Sequence, residues 1–493
     1  MKSICADLVM QRLSPDSGMA LNRQLYECLR QGIFDGTLPS GTALPASRDL
    51  AREAGMSRNT VMHAYEQLRA EGYVHSRVGS GTFVAETTPD SLLNVNAATA
   101  APAPEGGHAR LSRQAQALLA TASAGAEQWG AFMPGVPDVT EFPARTFARI
   151  QSRLWRQPAP QMLTYAHGGG HSALKAALME YLRVARSVQC EADQILITEG
   201  VHQAIDMSLR MLVEPGDTVW VEEPGYWGFH KVLQMTRARI RLMHADGNGT
   251  VQWPSRGGAP RLIFVTPSHQ YPMGSVMSLA RRRELLERAR SHGSWIVEDD
   301  YDSEFRFAGR PVPAMQGLET DAPVIYIGSF SKTLFPALRV GYMVLPKALA
   351  AAFRTVHADL YREGHSMTQA VLAELISQGH YASHIRRMRL IYARRRSALA
   401  GLVQAHLGPN ALPSHASNAG LHLVLSLGDQ CDDIAIAEDA AKHGVLTRAL
   451  SRYYTGDRVR RGLLLGYACV KDEDIAPAFF RLLAVIDRHG GRR

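Results

Sequence analysis

Two kinds of hydrophobic spacing divide the chain. Near the N-terminus, Leu21, Leu25, Leu29 and Ile33 recur every four residues, which is the spacing of one face of a helix. From about residue 129 onward, short apolar runs alternate with helical segments, a pattern typical of a doubly wound, mostly parallel sheet. The chain therefore predicts a small helical module followed by a large α/β module.

The N-terminal pattern continues with two further helices and a hairpin. A short helix is expected to start at Pro45-Ala46-Ser47 with Ser47 as its N-cap, and Ser57 is expected to cap a third helix over Arg58–Glu71. Residues 74–84 predict two short strands joined at Gly79-Ser80-Gly81. Three helices and a glycine-tipped hairpin form a winged helix-turn-helix, which is a DNA-binding fold.

The third helix would enter the major groove and present its first turn to the base edges. Arg58 can bond guanine and Asn59 can bond adenine, each through two hydrogen bonds. Arginines beside the helix and on the wing are expected at phosphates, and the wing glycines allow close approach to the DNA backbone. The predicted DNA-contacting residues are Arg48, Ser57, Arg58, Asn59, Thr60, Tyr65, Arg77, Gly79 and Gly81. A small protein-interaction module with the same spacing is the alternative interpretation.

The residues of this module resemble the GntR family of bacterial regulators. The similarity includes Leu44-Pro45-Ala46-Ser47-Arg48-Asp49-Leu50-Ala51, Ser57-Arg58-Asn59-Thr60-Val61, Tyr65-Glu66-Gln67-Leu68 and Gly79-Ser80-Gly81-Thr82-Phe83-Val84. One departure is Ala46, where the family often has serine. The resemblance implies a DNA-binding domain over residues 19–85.

Composition and charge limit the remaining possibilities. Residues 86–128 are rich in Ala, Pro, Gly, Ser and Thr and predict a flexible linker, with a short amphipathic helix within 111–119.

The 493-residue chain has a formal net charge of +8, but residues 1–85 hold nine Lys and Arg against eight Asp and Glu. The DNA prediction therefore depends on where the arginines lie. Five scattered cysteines, no long apolar run and no secretory signal predict a cytoplasmic protein without a membrane span, a disulfide framework or a metal site.

One lysine of the large module has the surroundings of a covalent cofactor site. Lys332 follows a hydrophobic run at 324–327 and lies among Ser329, Ser331 and Arg339. A lysine just beyond a buried strand is partly desolvated, which favours the neutral, nucleophilic amine. The hydroxyls and the guanidinium would supply donors for an anion. This combination suits pyridoxal 5′-phosphate (PLP), an aldehyde that carries a phosphate, held by Lys332 as a Schiff base.

Further candidates lie at the carboxyl ends of predicted strands, where ligands bind in sheets of this type. The helix start at Gly200-Val201-His202 could hold a phosphate, and Tyr226 could stack on a planar ring. The loop at 266–274 offers polar groups to a ring hydroxyl, and a carboxylate within 298–300 could pair with a pyridinium nitrogen. A plain strand–helix junction, a tyrosine on the sheet edge and an acidic surface turn are the structural alternatives.

Along the chain the features follow one another as phosphate loop, stacking aromatic, polar loop, aspartate, lysine and arginine. This order resembles the fold type I aminotransferase family, with the domain expected over residues 129–490. The resemblance implies that Lys332 forms the Schiff base, that Asp299 pairs with the pyridine nitrogen and that Tyr301 contacts the ring hydroxyl. The predicted cofactor-binding residues are Gly200, Val201, His202, Tyr226, His269, Tyr271, Asp299, Tyr301, Ser329, Ser331, Lys332 and Arg339.

Two features depart from that family. Aminotransferases usually place asparagine before the Pro-x-Gly turn, whereas Tyr271 stands there, so His269 or Gln270 would take over the contact with the ring hydroxyl. The arginine that grips a substrate carboxylate is expected near the C-terminal end, where the candidates are Arg458, Arg460 and Arg461.

Three other features of the large module are also interpreted. Tyr165 resembles the tyrosine that reaches the phosphate of the partner subunit. The basic run Arg386, Arg387, Arg389 and Arg394 to Arg396 is interpreted as a solvated helix face, and His422 as a structural strand residue.

A GntR-type module joined by a long linker to an aminotransferase-like domain resembles the MocR family of transcriptional regulators. That resemblance implies a PLP-binding homodimer that exchanges its DNA modules between subunits, binds a double-stranded operator and acts on the transcription machinery. The protein would sense PLP or an amino compound through the internal aldimine at Lys332, because displacement of the lysine would favour a different arrangement of the DNA modules. A working aminotransferase with a DNA tether, or one that retains only half-transamination, stays open, as does a dimerisation scaffold without cofactor.

Overall fold

The computed structural model describes residues 4–13, 18–77, 81–86, 111–120, 128–166, 168–245, 252–254, 258–308, 312–413 and 419–490. The chain divides into two compact units, Met1–Leu111 and Ser112–Arg493. Gly79 and most of the predicted linker lie outside the described residues.

The N-terminal unit has the predicted helices and hairpin. Its described elements are α1 (Ile4–Arg12), α2 (Leu21–Phe34), β1 (Ala43–Leu44), α3 (Ser47–Glu53), α4 (Arg58–Ala70), β2 (Val74–Arg77) and β3 (Gly81–Val84). The strands form an antiparallel sheet in the order β1-β3-β2. Val61, Ala64 and Leu68 of α4 are fully buried at helical spacing, which fixes the outward direction of the opposite face.

Helix α1 precedes the predicted module and packs into the same core. Leu8 and Val9 are 6% and 0% exposed. A Cβ added to Gly32 of α2 would lie 2.6 Å from Cδ2 of Leu8, so the two helices are in close contact at this glycine. The sequence interpretation missed α1 because its apolar run is short and Asp7 interrupts it.

One of the two predicted N-caps is confirmed. The Ser57 hydroxyl accepts a hydrogen bond of 3.1 Å from the backbone N–H of Thr60 at the start of α4. The prediction for α3 was wrong by one residue, since Ala46 is the extended residue before that helix and Ser47 is its first helical residue. The Ser47 hydroxyl instead faces Nε of Arg58 at 3.5 Å.

The larger unit contains the remaining described helices and strands. In chain order they are α5 (Arg113–Ala120), α6 (Ala144–Arg156), α7 (Ser172–Arg186), β4 (Ile195–Thr198), α8 (Val201–Leu212), β5 (Thr218–Glu223), α9 (Trp227–Leu233), β6 (Arg239–His244), β7 (Leu262–Val265), α10 (Leu279–His292), β8 (Trp295–Asp300), β9 (Val324–Ser329), β10 (Gly341–Val344), α11 (Lys347–Tyr361), α12 (Ser366–Ser377), α13 (His380–Leu407), β11 (His422–Ser426), α14 (Asp433–Lys442), β12 (Arg448–Ala449), β13 (Gly462–Gly466) and α15 (Asp472–Arg488).

Seven strands form the central sheet in the order β4-β10-β9-β8-β7-β5-β6. Strand β10 runs antiparallel to both of its neighbours, and the other pairings are parallel. The prediction of a mostly parallel sheet is therefore confirmed. Six strands end at the same edge of this sheet, which brings the segments after β4, β5, β7, β8 and β9 together.

A second sheet, of order β11-β13-β12, is antiparallel and packs with α13, α14 and α15. The basic run of α13 only partly matches the predicted solvated face. Arg395 is 4% exposed, and its Nη1 donates to Oδ2 of Asp138 at 2.9 Å. Arg394 is exposed and pairs with Asp472, as a surface arginine would. A single sequence does not separate the two arginines, because they differ only in the helix face on which they lie.

Within the described part of the chain, no helix combines the length and the apolar character that crossing a membrane requires.

Candidate functional site

The first turn of α4 forms the exposed face of the N-terminal unit that was predicted to contact DNA. The side chains of Arg58 and Asn59 are exposed there, and the Ser57 hydroxyl lies 2.8 Å from that of Thr60. The Ser57 cap therefore orders the turn from which both base-reading candidates project. Arg48 is exposed at the start of the neighbouring α3.

The other residues predicted to contact DNA lie on the hairpin and within α4. Arg77 is exposed, and its guanidinium lies 5.6 Å from the ring centroid of Phe83 across the hairpin. Gly81 has φ +112 and open space around it, which leaves room for a close approach. Tyr65 has a different position, because its half-buried hydroxyl donates to the carbonyl of Pro45 at 2.9 Å. Tyr65 thus ties α4 to the turn before α3.

In the larger unit, Lys332 lies in the loop that follows β9. Its Nζ donates to the carbonyl of Gly135 at 2.6 Å. Burial lowers the pKa of Lys332, and the charges of Asp302 and then Asp299 oppose that effect. A lowered pKa increases the fraction of neutral amine, which is the form that attacks an aldehyde.

The end of β8 brings a buried carboxylate to the same place. Asp299 is 4% exposed, and its Oδ1 has no hydrogen-bond partner among the described residues. Burial, followed by the charge of Asp300, raises the pKa of Asp299 to about 8, while Lys332 opposes the shift. A buried acceptor without a donor is unfavourable unless a ligand supplies one, and a protonated pyridine nitrogen would do so.

The junction of β4 and α8 is the segment predicted to hold a phosphate, here called the cradle. Gly200 is the N-cap of α8 with φ +85, and a Cβ there would lie 3.4 Å from the Arg339 guanidinium. Arg339 is held in place by a hydrogen bond of 2.9 Å from its Nη2 to the carbonyl of Glu199. The structure thus brings a guanidinium to a helix N-terminus, and both favour an anion.

Two more predicted residues flank this cradle. Burial lowers the pKa of His202, and the positive charges of Arg339 and Lys332 lower it further, so its imidazole is neutral. Its Nε2 lies 2.6 Å from the Tyr226 hydroxyl. On the other side, the Ser329 hydroxyl accepts a hydrogen bond of 3.0 Å from the backbone N–H of Ser331.

Aromatic rings line the space between these groups. The centroids of Tyr226 and Tyr271 are 5.9 Å apart, and those of Tyr271 and Tyr301 are 5.5 Å apart, both edge to face. The Tyr271 hydroxyl lies 3.1 Å from that of Tyr453. The three predicted tyrosines therefore lie together. Tyr453, which was not among the predicted site residues, lies beside them.

The loop after β7 separates the two predicted substitutes for the missing asparagine. The Gln270 amide donates to the carbonyl of Pro224 at 2.7 Å, and its oxygen accepts from the N–H of Met273 at 3.1 Å. Gln270 thus holds the turn together. Nδ1 of His269 lies 2.8 Å from the hydroxyl of Tyr301, the residue predicted to contact the ring hydroxyl of the cofactor.

The C-terminal arginine candidates do not lie in equivalent places. Arg461 pairs with the buried carboxylate of Asp433 at 3.2 Å, and Arg458 and Arg460 are exposed. Arg448 of β12, which was not a candidate, has a charge that acts on the hydroxyls of Tyr271 and Tyr453. The two-residue strand around Arg448 carries too weak a pattern to have been found from sequence.

Tyr165 is 73% exposed, and the Arg362 guanidinium lies 5.9 Å from its ring centroid.

Comparisons with known proteins match both units. The model of the gntR family of bacterial regulatory proteins matches residues 21–84, and that of aminotransferase class I and II matches residues 145–479. The chain is 41% identical over 456 residues to the probable rhizopine catabolism regulatory protein MocR of Rhizobium meliloti, with 92% of each chain covered. It is 31% identical over 465 residues to the pyridoxine biosynthesis regulator PdxR of Corynebacterium glutamicum, with 94% of this chain and 95% of that one covered.

Solved structures show the fold of the larger unit. The kynurenine aminotransferase of Pyrococcus horikoshii superposes with a TM-score of 0.67 at 24% identity, covering 78% of this chain and 96% of the other. An aminotransferase of Thermus thermophilus, LysN, gives a TM-score of 0.66 at 24% identity, with 76% and 95% covered.

A winged helix-turn-helix followed by an aminotransferase fold defines a DNA-binding transcriptional regulator with an aminotransferase-like domain. The aminotransferase match, the half-buried lysine and the Asp299 oxygen that has no partner among the described residues support pyridoxal phosphate as its cofactor. The chain belongs to the MocR-type regulators of the GntR family.

Proposed function

We propose that this regulator holds PLP covalently at Lys332 and that amino compounds reaching this site change its affinity for operator DNA. The observation that carries the proposal is the pair formed by Lys332 and Asp299. The lysine has a lowered pKa, and the carboxylate has one buried oxygen without a donor among the described residues. PLP supplies both missing partners, an aldehyde for the amine and a ring N–H for the carboxylate.

The surrounding residues would hold the rest of the cofactor. The N-terminus of α8 at Gly200 and Val201, together with Arg339, offers donors to the phosphate, and Ser329 lies beside the same end of the sheet. His202 orients the Tyr226 hydroxyl, so that this ring can stack on the cofactor. Ser331 positions Ser329 through its backbone N–H.

A carboxylate on the effector would fit Arg448. Its charge already reaches the two tyrosines at the far side of the aromatic cluster, whereas Arg461 is committed to Asp433. We therefore propose Arg448 for this role in place of the three arginines suggested by the sequence. We infer an effector with an amine for the cofactor end and an acid group for this arginine.

Coupling to DNA follows from differential stability. If the amine-bound and lysine-bound states favour different arrangements of the DNA modules, the operator affinity changes by the same free energy. We propose a cytoplasmic homodimer with exchanged DNA modules, because the described N-terminal unit of one chain presents one candidate recognition helix and operators are commonly two half-sites.

The decisive experiment titrates the purified protein with PLP and then with amines. The visible absorption of the bound cofactor and the affinity for DNA from its own promoter are measured in the same samples. The proposal predicts that an amine which shifts the absorption also shifts the DNA affinity, and that Lys332→Ala abolishes both responses. An absorption shift with unchanged DNA affinity for every amine would contradict the coupling.

A working aminotransferase is the second candidate, since Lys332, Asp299, Tyr226 and Arg339 are all present at the site. Steady consumption of an amino donor with a keto acid, lost in Lys332→Ala, would establish it. A single half-reaction that stops after one equivalent would leave only sensing.

A further inference from the structure

His269 joins two side chains of the segment after β8. Its Nδ1 lies 3.1 Å from both carboxylate oxygens of Asp302 and 2.8 Å from the Tyr301 hydroxyl. Asp302 is 1% exposed and His269 is 3% exposed, so water does not compete for these hydrogen bonds. One nitrogen thus faces two oxygen groups in a buried position.

The imidazole cannot easily turn away from these partners. A Cβ on Gly420 would lie 2.1 Å from Cε1 of His269, and one on Gly274 would lie 3.1 Å from its Nε2. Both glycines have positive φ, +83 and +76. The ring is therefore seated against two backbone segments that only residues without a side chain allow.

The hydrogen-bond roles follow from the chemistry of the carboxylate. An ionised carboxylate only accepts hydrogen bonds, and His269 is the donor that the described residues offer to Asp302. Nδ1 must then carry a proton. A protonated nitrogen cannot accept from Tyr301, so the phenol presents its oxygen to this N–H and its own hydrogen stays available.

The other ionisable groups near His269 do not change this assignment. His422 approaches from β11 with its ring centroid 5.6 Å away, and its Nε2 is 2.8 Å from the carbonyl of Pro272, so that nitrogen carries the proton. Burial, with the charge of His269 second, lowers the pKa of His422 to about 4, which leaves it uncharged. Lys332 and Asp299 lie within electrostatic reach of Asp302 on the cofactor side.

We propose that Asp302 is a positioning residue: it fixes the proton on His269 Nδ1 and thereby leaves the Tyr301 hydroxyl free to donate to the ring hydroxyl oxygen of PLP. The inference rests on the proposed cofactor site. It assigns the role of the missing asparagine to a relay of three residues, in which His269 acts through Tyr301 rather than on the ring. Asp302 also places a negative charge near Lys332, so the two effects must be separated by experiment.

A double-mutant cycle separates them. The pH midpoint of the visible absorption change of bound PLP is measured in wild type, Asp302→Asn, Tyr301→Phe and the double variant. If Asp302 acts through the Tyr301 hydroxyl, the shift caused by Asp302→Asn differs between the two backgrounds by about half a pH unit or more. If Asp302 acts only as a charge, the shift is the same in both, and that result would overturn the proposal.

A matched control tests the loss of a buried acid as such. Glu304 is 8% exposed in the same segment and accepts from the Tyr181 hydroxyl instead. Glu304→Gln should leave the midpoint and its dependence on Tyr301 unchanged. Coupling between Glu304 and Tyr301 equal to that of Asp302 would contradict the relay.

A measurement on the unmodified sequence covers the case in which Asp302→Asn fails to fold. In PLP-loaded protein labelled with ¹⁵N-histidine, the His269 signal is assigned by its loss in His269→Gln. The proposal requires a protonated Nδ1, and an unprotonated Nδ1 overturns it. Wild-type protein that never acquires a visible band would instead refute the cofactor site itself, so the two failures are distinguishable.

Discussion

Nε of Arg186 donates a hydrogen bond of 2.6 Å to Oδ2 of Asp300, and the two side chains are almost completely buried. The same guanidinium donates to the Ser268 hydroxyl at 2.6 Å, and the Tyr326 hydroxyl donates to Asp300 at 2.6 Å. Side chains alternate along a strand, so Asp300 lies on the opposite face of β8 from Asp299. The pair therefore fastens the strand end that carries Asp299 and the loop that carries His269.

Arg186→Leu should strongly destabilise the larger unit, because it leaves the Asp300 charge buried without its partner. The expected loss is about 3–5 kcal/mol, visible as a lower unfolding temperature of that unit in calorimetry. Arg183→Ala is the matched control, since the Arg183–Glu180 pair is exposed on the same helix and should cost at most about 1 kcal/mol. Equal losses in the two variants would refute the fastening role.

Asp299 should make the cofactor-free protein less stable as the pH rises. Its pKa is about 8 in the folded chain against an ordinary 3.8, so the folded state holds a proton that the unfolded state releases between these values. The free energy of unfolding therefore falls from pH 4 to pH 8, and Glu222 and Glu304, whose pKa values burial raises to about 7, add to the fall. Denaturant titrations at several pH values, on wild type and Asp299→Asn without PLP, measure how the free energy of unfolding changes with pH. This change should be smaller in the variant. Identical slopes would mean that Asp299 is not the titrating group.

Gly420→Ala should weaken PLP binding by pushing His269 out of position. The added Cβ would lie 2.1 Å from the His269 ring, and the backbone φ of +83 adds strain. Gly444→Ala is the control, with φ +72 and no neighbour within 4 Å, so it should show only the backbone cost of about 1 kcal/mol. The dissociation constant for PLP should rise about tenfold or more in the first variant and stay unchanged in the second. Equal PLP affinity in both would show that the position of His269 does not matter.

Arg58→Ala and Asn59→Ala should each weaken sequence-specific DNA binding while the cofactor absorption stays intact. Each bidentate base contact contributes about 1–3 kcal/mol of discrimination, so operator affinity should fall about tenfold to a hundredfold per substitution. Arg69→Ala is the control, being an exposed arginine at the other end of the same helix. Mobility-shift titrations with operator and scrambled DNA make the comparison, and specific binding that survives both substitutions would exclude this helix as the reading element.

Arg448→Leu should separate effectors by their acid group. Amines with a carboxylate should lose about ten- to a hundredfold in apparent affinity, the value of one charge-assisted hydrogen bond of about 1.5–3 kcal/mol. Simple amines should react with the bound cofactor as before. Arg458→Leu provides an exposed arginine of the same C-terminal segment for comparison, and a larger effect there would return the carboxylate site to the arginines proposed from sequence.

Strand ends could be predicted from the sequence because buried parallel strands are short and apolar throughout. The runs before Gly200 and Ser329 are fully buried, the run before Asp299 is buried except for Trp295, and each strand was located within two residues. Lys332 and Arg339 could be singled out as candidates because their neighbours form a compact local motif. The Ser57 cap was equally readable, since a cap depends on residues three positions apart.

Contacts between distant segments could not be predicted in the same way. Arg448 and Tyr453 join the site through a small antiparallel sheet whose register the sequence does not encode locally. Asp302 stands beside Tyr301 in the chain, but its importance depends on His269, thirty-three positions earlier. Gln270 was a candidate for the ring because of its polarity, whereas its amide satisfies backbone groups of its own turn.

The two faces of β8 have different roles, and this difference has a consequence for the evolution of such regulators. Asp300 is bonded to Arg186 and Tyr326, whereas Oδ1 of Asp299 has no hydrogen-bond partner among the described residues. If Asp299 binds the cofactor as proposed, substitutions around it would change what the protein recognises without weakening the strand, because the bonds that hold the strand lie on its other face. During evolution, substitutions on the Asp299 face could therefore exchange one effector for another without a loss of stability. Selection for folding would keep the residues of the Asp300 face constant.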